Sequence, residues 1–517
     1  MRSLSAHGAR SALELGDQVF TYEDLWDYAG RISACLRERL SPSQTMVAVL
    51  ANRSVGAYGG ILGVLASGRG YMPLNPKFPL ERTLIMLNAS ACQTMVVGQE
   101  CAAVLKSLLP RISTPLTIIT ADSGWEMSRG DIAPHQLIAA QDLSKVADPC
   151  DPIINDEAAA YLLFTSGSTG IPKGVPVSHS NVRAYMDYAA KRFEINADDR
   201  CSQNFDLTFD LSVHDLFTCW NAGATLCPCT EQTLTPATLI GEKRITVWFS
   251  VPSVAMFASK IGLLTPGAFP TLRWSLFCGE ALSSSLACAW QEAACNSILE
   301  NLYGPTEATI AITAYRWDPQ ESSVECLSGL VPIGWPYEGQ QICVVNEDLQ
   351  PVQPGVTGEL CLTGSQVTAG YLNDPENTAK HFARLPHTAD QVWYRTGDLV
   401  RQDERGCVYY LGRRDFQVKV NGYRVELQEI DLALRQAAGT ELAVAIPWPV
   451  SNGSATGVVG VLSASDPTRD ERILAACSNR LPRYMVPQRI FHFKELPLNV
   501  NGKIDRGKIA EMIAQQP

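Results

Sequence analysis

The stretch YLLFTSGSTGIPKGVPVSH, residues 161–179, runs from an apolar strand pattern straight into six small residues, Thr165-Ser166-Gly167-Ser168-Thr169-Gly170, and then reaches Pro172-Lys173-Gly174. Small residues let backbone N–H groups and hydroxyls converge on an anion, and the lysine adds a point charge. The segment reads as a phosphate cradle. It is not a Walker A loop, because Lys173 follows Pro172 where that loop needs Gly and precedes Gly174 where it needs a magnesium-binding Ser or Thr. The bland alternative is a polar Gly/Ser turn on the surface.

Around this segment, short β-rich runs alternate with helical ones: TMVAVL (45–50), SVGAYGGILGVLASG (54–68), TMVVG (94–98) and PLTIIT (115–120). Such alternation predicts βαβ units and mainly parallel sheets. Near residues 340–364, QICVVNEDLQPVQPGVTGELCLTG reads instead as strand, turn and strand, an antiparallel, barrel-like portion. FQVKVNGYRVEL (416–427) alternates around Asn421-Gly422, a type I′ hairpin signal, and LQEIDLALRQA (427–437) reads as an amphipathic helix. The expected fold is α/β: a large domain, residues 1–412, of α/β subdomains plus a β-barrel-like subdomain, then a small α+β domain, residues 413–517. SNGSAT (451–456) is expected to be an exposed loop.

A chain of 517 residues with 46% hydrophobic and 18% charged residues has the composition of a folded multi-domain enzyme. Its net charge of −11, with no long basic run, argues against nucleic acid as a partner. The first residues lack the apolar core of a signal peptide and no apolar run is long enough to cross a bilayer, so a cytoplasmic location without membrane insertion is expected. The sixteen cysteines include no Cys-x-x-Cys and read as reduced core thiols; Cys227 and Cys229 lack the second pair or His that a zinc site needs.

TSGSTGIPKG resembles the phosphate-loop signature of the adenylate-forming superfamily, which includes acyl-CoA synthetases, luciferases and peptide-synthetase adenylation domains. The resemblance continues in order along nearly the whole chain. It runs through GRGYMPLNP (68–76), NFDLTFDLSVHDLF (204–217), NLYGPTEAT (301–309), GELCLTGSQVTAGYLN (358–373), YRTGDLV (394–400), LGRRDFQVKVNGYRVELQEID (411–431) and PLNVNGKIDR (497–506). It implies an enzyme that uses ATP and Mg²⁺ to join a carboxylate to AMP.

What this implies for individual residues has a chemical rationale, since two anions must meet at phosphorus and the site must supply cations and aimed donors. Thr165, Ser166, Gly167 and Lys173 would hold the β- and γ-phosphates, Thr306 would bond the α-phosphate, and Glu307 would ligate Mg²⁺, its alternative being a helix cap. Asn301 and Tyr303 would contact adenine, together with Gly279 and Glu280 on the nucleotide side. Asp398 would accept the ribose hydroxyls, unless it merely forms the turn after Gly397, and Arg413 would reach ribose or phosphate. Lys503, otherwise a surface lysine, would enter on the small domain and bridge carboxylate and α-phosphate, with Asp415 as the hinge of a mobile domain.

For the acyl group, Asp210 after Phe209 matches the carboxylate that pairs with a substrate ammonium, the alternative being a cap on the following helix. Motif-by-motif matching to peptide-synthetase adenylation domains implies a pocket of Asp210, Leu211, His214, Phe249, Leu276, Cys278, Leu302, Ile310 and Ala311. Such a mostly apolar wall suits a compact amino acid. The pattern resembles stand-alone prolyl-activating members, making L-proline the expected substrate and cysteine or another small amino acid the alternative; His214 departs from both patterns. The chain ends at Pro517, too soon after the Lys503 motif for a carrier domain. The expected acceptor is therefore the phosphopantetheine thiol of a discrete carrier protein, with coenzyme A as the rival. An acyl- or aryl-CoA synthetase and a non-catalytic ATP-binding protein are the competing readings.

Overall fold

A computed structural model describes the chain except residues 1, 126, 144–153, 168–170, 231–232, 387, 389–390, 416, 452–453, 464–466, 499–503 and 516–517. The large domain is built on two sheets whose inner faces share one core. In the first, the strands Met46–Leu50, Gly70–Leu74, Thr94–Val97, Thr117–Ile119 and Gln136–Ile138 run parallel, and Ala159–Thr165 pairs parallel with Gly70–Leu74 and antiparallel with Lys173–Ser178. The second centres on Arg200–Gln203, Thr225–Pro228, Val247–Ser250, Trp274–Phe277 and Ile298–Tyr303, again parallel, with antiparallel pairs at both edges. Buried on both faces, these strands have the continuous apolar character of parallel sheets.

The expected strand–turn–strand is the antiparallel pair Gln340–Val345 and Thr357–Gly364, which sits beside the long strand Val392–Gln402. That strand is flanked further on by Val408–Arg413, after which the chain leaves this sheet and begins a new one at Gln417. The small domain opens with the expected hairpin: Gln417–Val420 pairs with Tyr423–Glu426, and Asn421 and Gly422 have φ of 49° and 83°, as a type I′ turn requires. Gly422 is also sterically required, because a Cβ there would come within 2.5 Å of Val251 in the large domain. The helix Leu427–Ala438 follows and packs on the antiparallel pair Ala443–Pro447 and Val458–Ser463.

The segment read as an exposed loop at 451–456 differs at its described positions, residues 452–453 lying outside the described residues. Val450–Ser451 pairs with Ser454–Ala455, and Ala455 is buried and lies in register with Val420 of the hairpin. The free edge of the hairpin is thereby covered, a tertiary demand that local turn chemistry does not announce.

The two domains are joined by an ion pair. Arg82, on the helix Leu80–Ser90, meets Glu429 at 2.6 Å, and each side chain is only 4% exposed. Leaving one member of such a pair buried alone costs about 3–5 kcal/mol. Arg82→Ala is therefore expected to loosen the docking of the small domain, speeding hydrogen exchange across residues 417–426 by roughly a hundredfold while the parallel strands stay protected. Unchanged exchange in the hairpin would show that the pair does not hold the domain.

Candidate active site

A cleft opens where the C-terminal ends of the second sheet's parallel strands meet the phosphate-cradle segment and the small-domain hairpin. Two connected cavities line it. The larger, about 320 Å³, is bounded by Gly279, Glu280, Asn301, Tyr303, Asp398 and Arg413 among others. These are the six residues expected to face a nucleotide beyond the phosphate loop. The smaller, about 60 Å³, is bounded by Thr165, Ser166, Phe209, Asp210, Leu211, Cys278, Gly279 and Thr306. Lys419 and Arg424, from the hairpin, line both.

In the larger cavity, Asn301 spends its amide N–H₂ on the carbonyl of Pro332 at 2.8 Å, which leaves Oδ1 buried without a partner among the described residues. An orphan acceptor at that place fits the amino edge of adenine. Asp398 accepts from the Tyr303 hydroxyl and, at 2.7 Å, from Arg413; Arg413 in turn holds Asp415 at 2.7 and 2.8 Å. The Tyr303 ring thus borders the cavity while its hydroxyl is anchored on the Asp398 carboxylate. Glu280 accepts from the backbone N–H of Ser253, and burial raises its pKa.

At the smaller cavity two buried carboxylates are treated differently. Asp210 is 6% exposed and does not cap the helix Leu211–Asn221 that it precedes. Its Oδ2 accepts the backbone N–H of Ile310 at 3.0 Å, and burial, outweighing that bond, pushes its pKa up to about 6. Presenting this N–H takes a strained turn: Thr309 and Ile310 both have positive φ, 56° and 73°, which β-branched residues rarely adopt. Gln366 clamps the turn, donating to the carbonyl of Ala311 at 2.7 Å and accepting from the Thr309 hydroxyl at 2.6 Å.

Glu307 lies in the short turn Thr306–Ala308 and is 1% exposed. Burial opposes its ionisation, but Arg424 at 2.9 Å and the Tyr371 hydroxyl at 2.7 Å win and hold its pKa near 2. Ionised at every working pH, it offers the oxygen donor that a magnesium ion bridging phosphates asks of a protein.

The cradle segment is partly described. Thr165 ends its strand, Lys173 begins the next and sits 5.6 Å from the Tyr371 ring centre, and Ser168–Gly170 fall outside the described residues. At Gly167 a Cβ would strike the carbonyl oxygen of Ile171, so no other residue fits. The Ser166 hydroxyl donates to the carbonyl of Arg424 at 2.9 Å and accepts the N–H of Glu426 at 3.1 Å. The hairpin therefore rests directly on the cradle. Tyr423 stacks on Tyr484 and meets Phe209 edge-on at 4.6 Å.

Of the expected pocket residues, Asp210, Leu211 and Cys278 line the smaller cavity. His214, Phe249, Leu276, Ile310 and Ala311 line neither cavity and form the buried layer behind them, while Leu302 lines the larger cavity. Lys503 lies outside the described residues. Residues that sequence reasoning missed are Lys419, Arg424, Tyr371 and Gln366. A signal existed for the first two. Lys419 and Arg424 are direct cross-strand partners, and like charges placed opposite each other are unfavourable unless an anion faces them.

Replacing the Asp210 carboxyl tests this electrostatic account. A folded-state pKa of about 6 against a reference of 3.8 means that ionising Asp210 opposes folding at neutral pH. Asp210→Asn, which still accepts from Ile310, is expected to stabilise the ligand-free protein by roughly 2–3 kcal/mol at pH 7.5. The gain should shrink as the pH falls below 6 and disappear below about 4; thermal unfolding of both forms across that range measures it.

Comparison with known proteins places this cleft. A family profile described as AMP-binding enzyme matches residues 2–372. The D-alanine--D-alanyl carrier protein ligase of Bacillus licheniformis is 29% identical over 506 residues, covering 96% of this chain and 95% of that protein. Tyrocidine synthase 2 of Brevibacillus parabrevis is 31% identical over 501 residues, 96% of this chain but 13% of that synthase. Among solved structures, the Vibrio cholerae adenylation domain AlmE in complex with glycyl-adenosine-5'-phosphate superposes with a TM-score of 0.90 at 34% identity, covering 100% of this chain and 97% of that one. With fold, cleft and sequence in agreement, the chain belongs to the AMP-binding enzyme family.

Proposed function

We propose that this enzyme activates a small α-amino acid with ATP and passes the aminoacyl group to a carrier-borne thiol. It is an amino acid adenylating ligase. A substrate carboxylate oxygen attacks the α-phosphorus, the acyl–O–P bond forms as the Pα–O–Pβ bond breaks, and pyrophosphate leaves. A thiolate then attacks the acyl carbon and AMP departs. Glu307 would hold Mg²⁺, which would supply charge neutralisation on the phosphates. Asn301 and Tyr303 receive adenine, Asp398 and Arg413 the ribose, and Thr165, Ser166, Gly167 and Lys173 the terminal phosphates. Lys503 is assigned the bridge between carboxylate and α-phosphate on a mobile domain that begins at 413 and hinges at Asp415. The described side of that domain facing the cleft is the hairpin, the arrangement suited to the second step.

The observation that carries the amino-acid reading is Asp210. A buried carboxylate facing a cavity, bonded to the Ile310 N–H and to Thr306 but in no ion pair among the described residues, is completed by an ammonium group. The size of the side chain follows from the same cavity. About 60 Å³ has room for about four to six water-sized groups, which favours glycine or alanine, in keeping with the glycyl ligand of AlmE and the D-alanyl group in the ligase's name. L-proline is the second reading, favoured by the apolar layer of Leu211, Phe249, Leu276, Leu302 and Ile310. The acceptor is taken to be a phosphopantetheine thiol on a separate carrier protein, supported by the carrier protein in that relative's name and its match over most of its length. A cytoplasmic site of action is supported by the consumption of ATP and by the free cysteines among the described residues.

Amino-acid-dependent pyrophosphate exchange tests this. Glycine or alanine should give the highest kcat/KM, proline a measurable rate, and fatty or aryl acids none; a preference for the last group would remove the ammonium-binding role of Asp210. kcat/KM for the amino acid should fall about tenfold per pH unit below about 6, where Asp210 takes up its proton. In Asp210→Asn that step should be absent. Lys503→Ala should lose exchange by several orders of magnitude while ATP affinity changes little, because a group acting in the transition state governs turnover more than ground-state binding.

A further inference from the structure

Behind the wall of the smaller cavity, His214, one of the pocket positions named above, is hydrogen-bonded to a residue that is not among them. His214 stands one helical turn after Asp210 and three residues after Leu211, so it projects on the same helix face as the two cavity-lining residues, one turn deeper. Its ring meets Phe249 edge-on at 4.6 Å and Phe193 at 5.6 Å. Neither contact fixes the ring's rotation by itself. That is done by Tyr185, on the helix His179–Phe193, whose hydroxyl lies 2.7 Å from Nδ1 of His214. Both residues are almost fully buried, and Nε2 of His214 has no partner among the described residues.

The surroundings single this contact out. Tyr71, Tyr161 and Tyr337 are also buried in this core, with Tyr337 6.4 Å from the Tyr185 ring, yet their hydroxyls have no hydrogen-bond partner among the described residues. Of these four tyrosines, Tyr185 alone spends its hydroxyl on a side chain of the acyl-pocket layer. A phenylalanine would fill the same space, so the hydroxyl acts through what it holds.

We propose that Tyr185 is a positioning residue for substrate selection: its hydroxyl pins His214 edge-on against Phe249, and the pinned imidazole, in the layer behind the cavity wall, limits how far the acyl pocket can deepen one helical turn beyond Asp210. Substrates with no more than a methyl side chain then fit without disturbing the pair. Longer ones must turn the imidazole away and break the bond. Burial keeps His214 neutral, with its pKa pushed down to about 3, so the pair stays a neutral hydrogen bond through the working range. This rests on the amino-acid-activating reading given above.

The test uses Tyr185→Phe, which removes the hydrogen bond and keeps the ring, with exchange kinetics for glycine, alanine, proline, valine and leucine. The expected result is a kcat for the smallest amino acid within about threefold of wild type. The ratio of kcat/KM for valine or proline to that for glycine or alanine should rise at least tenfold. A general packing defect would lower all five together. An unchanged ratio in a folded, active variant overturns the proposal while leaving the amino-acid reading intact. A wild type with no amino-acid-dependent exchange would instead overturn that reading, and this proposal with it. Should Tyr185→Phe not fold, the wild type carries the test through ¹⁵N-histidine spectra assigned with His214→Gln. One neutral tautomer of His214 from pH 5 to 8 supports the proposal; tautomer exchange or titration in that range overturns it.

Discussion

Two carboxylates buried in one cleft, Asp210 and Glu307, set the conditions that the rest of the site must meet. A buried charge needs compensation, and the fold compensates the two unequally: Glu307 receives the guanidinium of Arg424, while Asp210 receives a backbone N–H. Their pKa values are driven apart, to about 2 and about 6. Environments that separate two like groups in this way give them different chemical tasks. One is a permanent anion; the other has Lys419 on the wall of the same cavity but no ion pair among the described residues, and burial prevails. The strained backbone at Thr309 and Ile310 and the Gln366 clamp follow from this, since they exist to aim one N–H at Asp210.

The small domain is shaped by the same demand. Its hairpin places Lys419 and Arg424 side by side over the cleft, an arrangement that would be repulsive in a sheet facing water. Close approach is allowed by Gly422 against Val251, and the docked position is held by Arg82 and Glu429. Arg424 thereby acts at two levels. Its side chain answers Glu307, and its main-chain carbonyl accepts from Ser166 in the cradle.

What could be read in advance divides along physical lines. Features encoded within a few residues were legible: the Asn421-Gly422 turn, the alternation into parallel strands, and the small-residue run before Lys173. Motif order also grouped Gly279, Glu280, Asn301, Tyr303, Asp398 and Arg413, and these six line one cavity. Residues whose role depends on chain segments far apart were not. Tyr185 reaches His214 across 29 positions and Arg82 reaches Glu429 across 347, and neither tyrosine nor arginine carries a local mark of such a partner. Residues 451–456 look like a loop by composition, yet Ser451, Ser454 and Ala455 take part in short strands because the hairpin beside them has an edge to cover. Five of the expected pocket residues lie behind the cavity surface, since motif matching identifies positions and burial depends on how neighbouring side chains fill the space.

The Ser166 hydroxyl has one proton and a limited set of lone pairs, and both are engaged by the hairpin backbone between Arg424 and Glu426. A seat so occupied enforces a queue. A polyphosphate that takes the hydroxyl displaces the hairpin, and a returning hairpin must find the seat vacated.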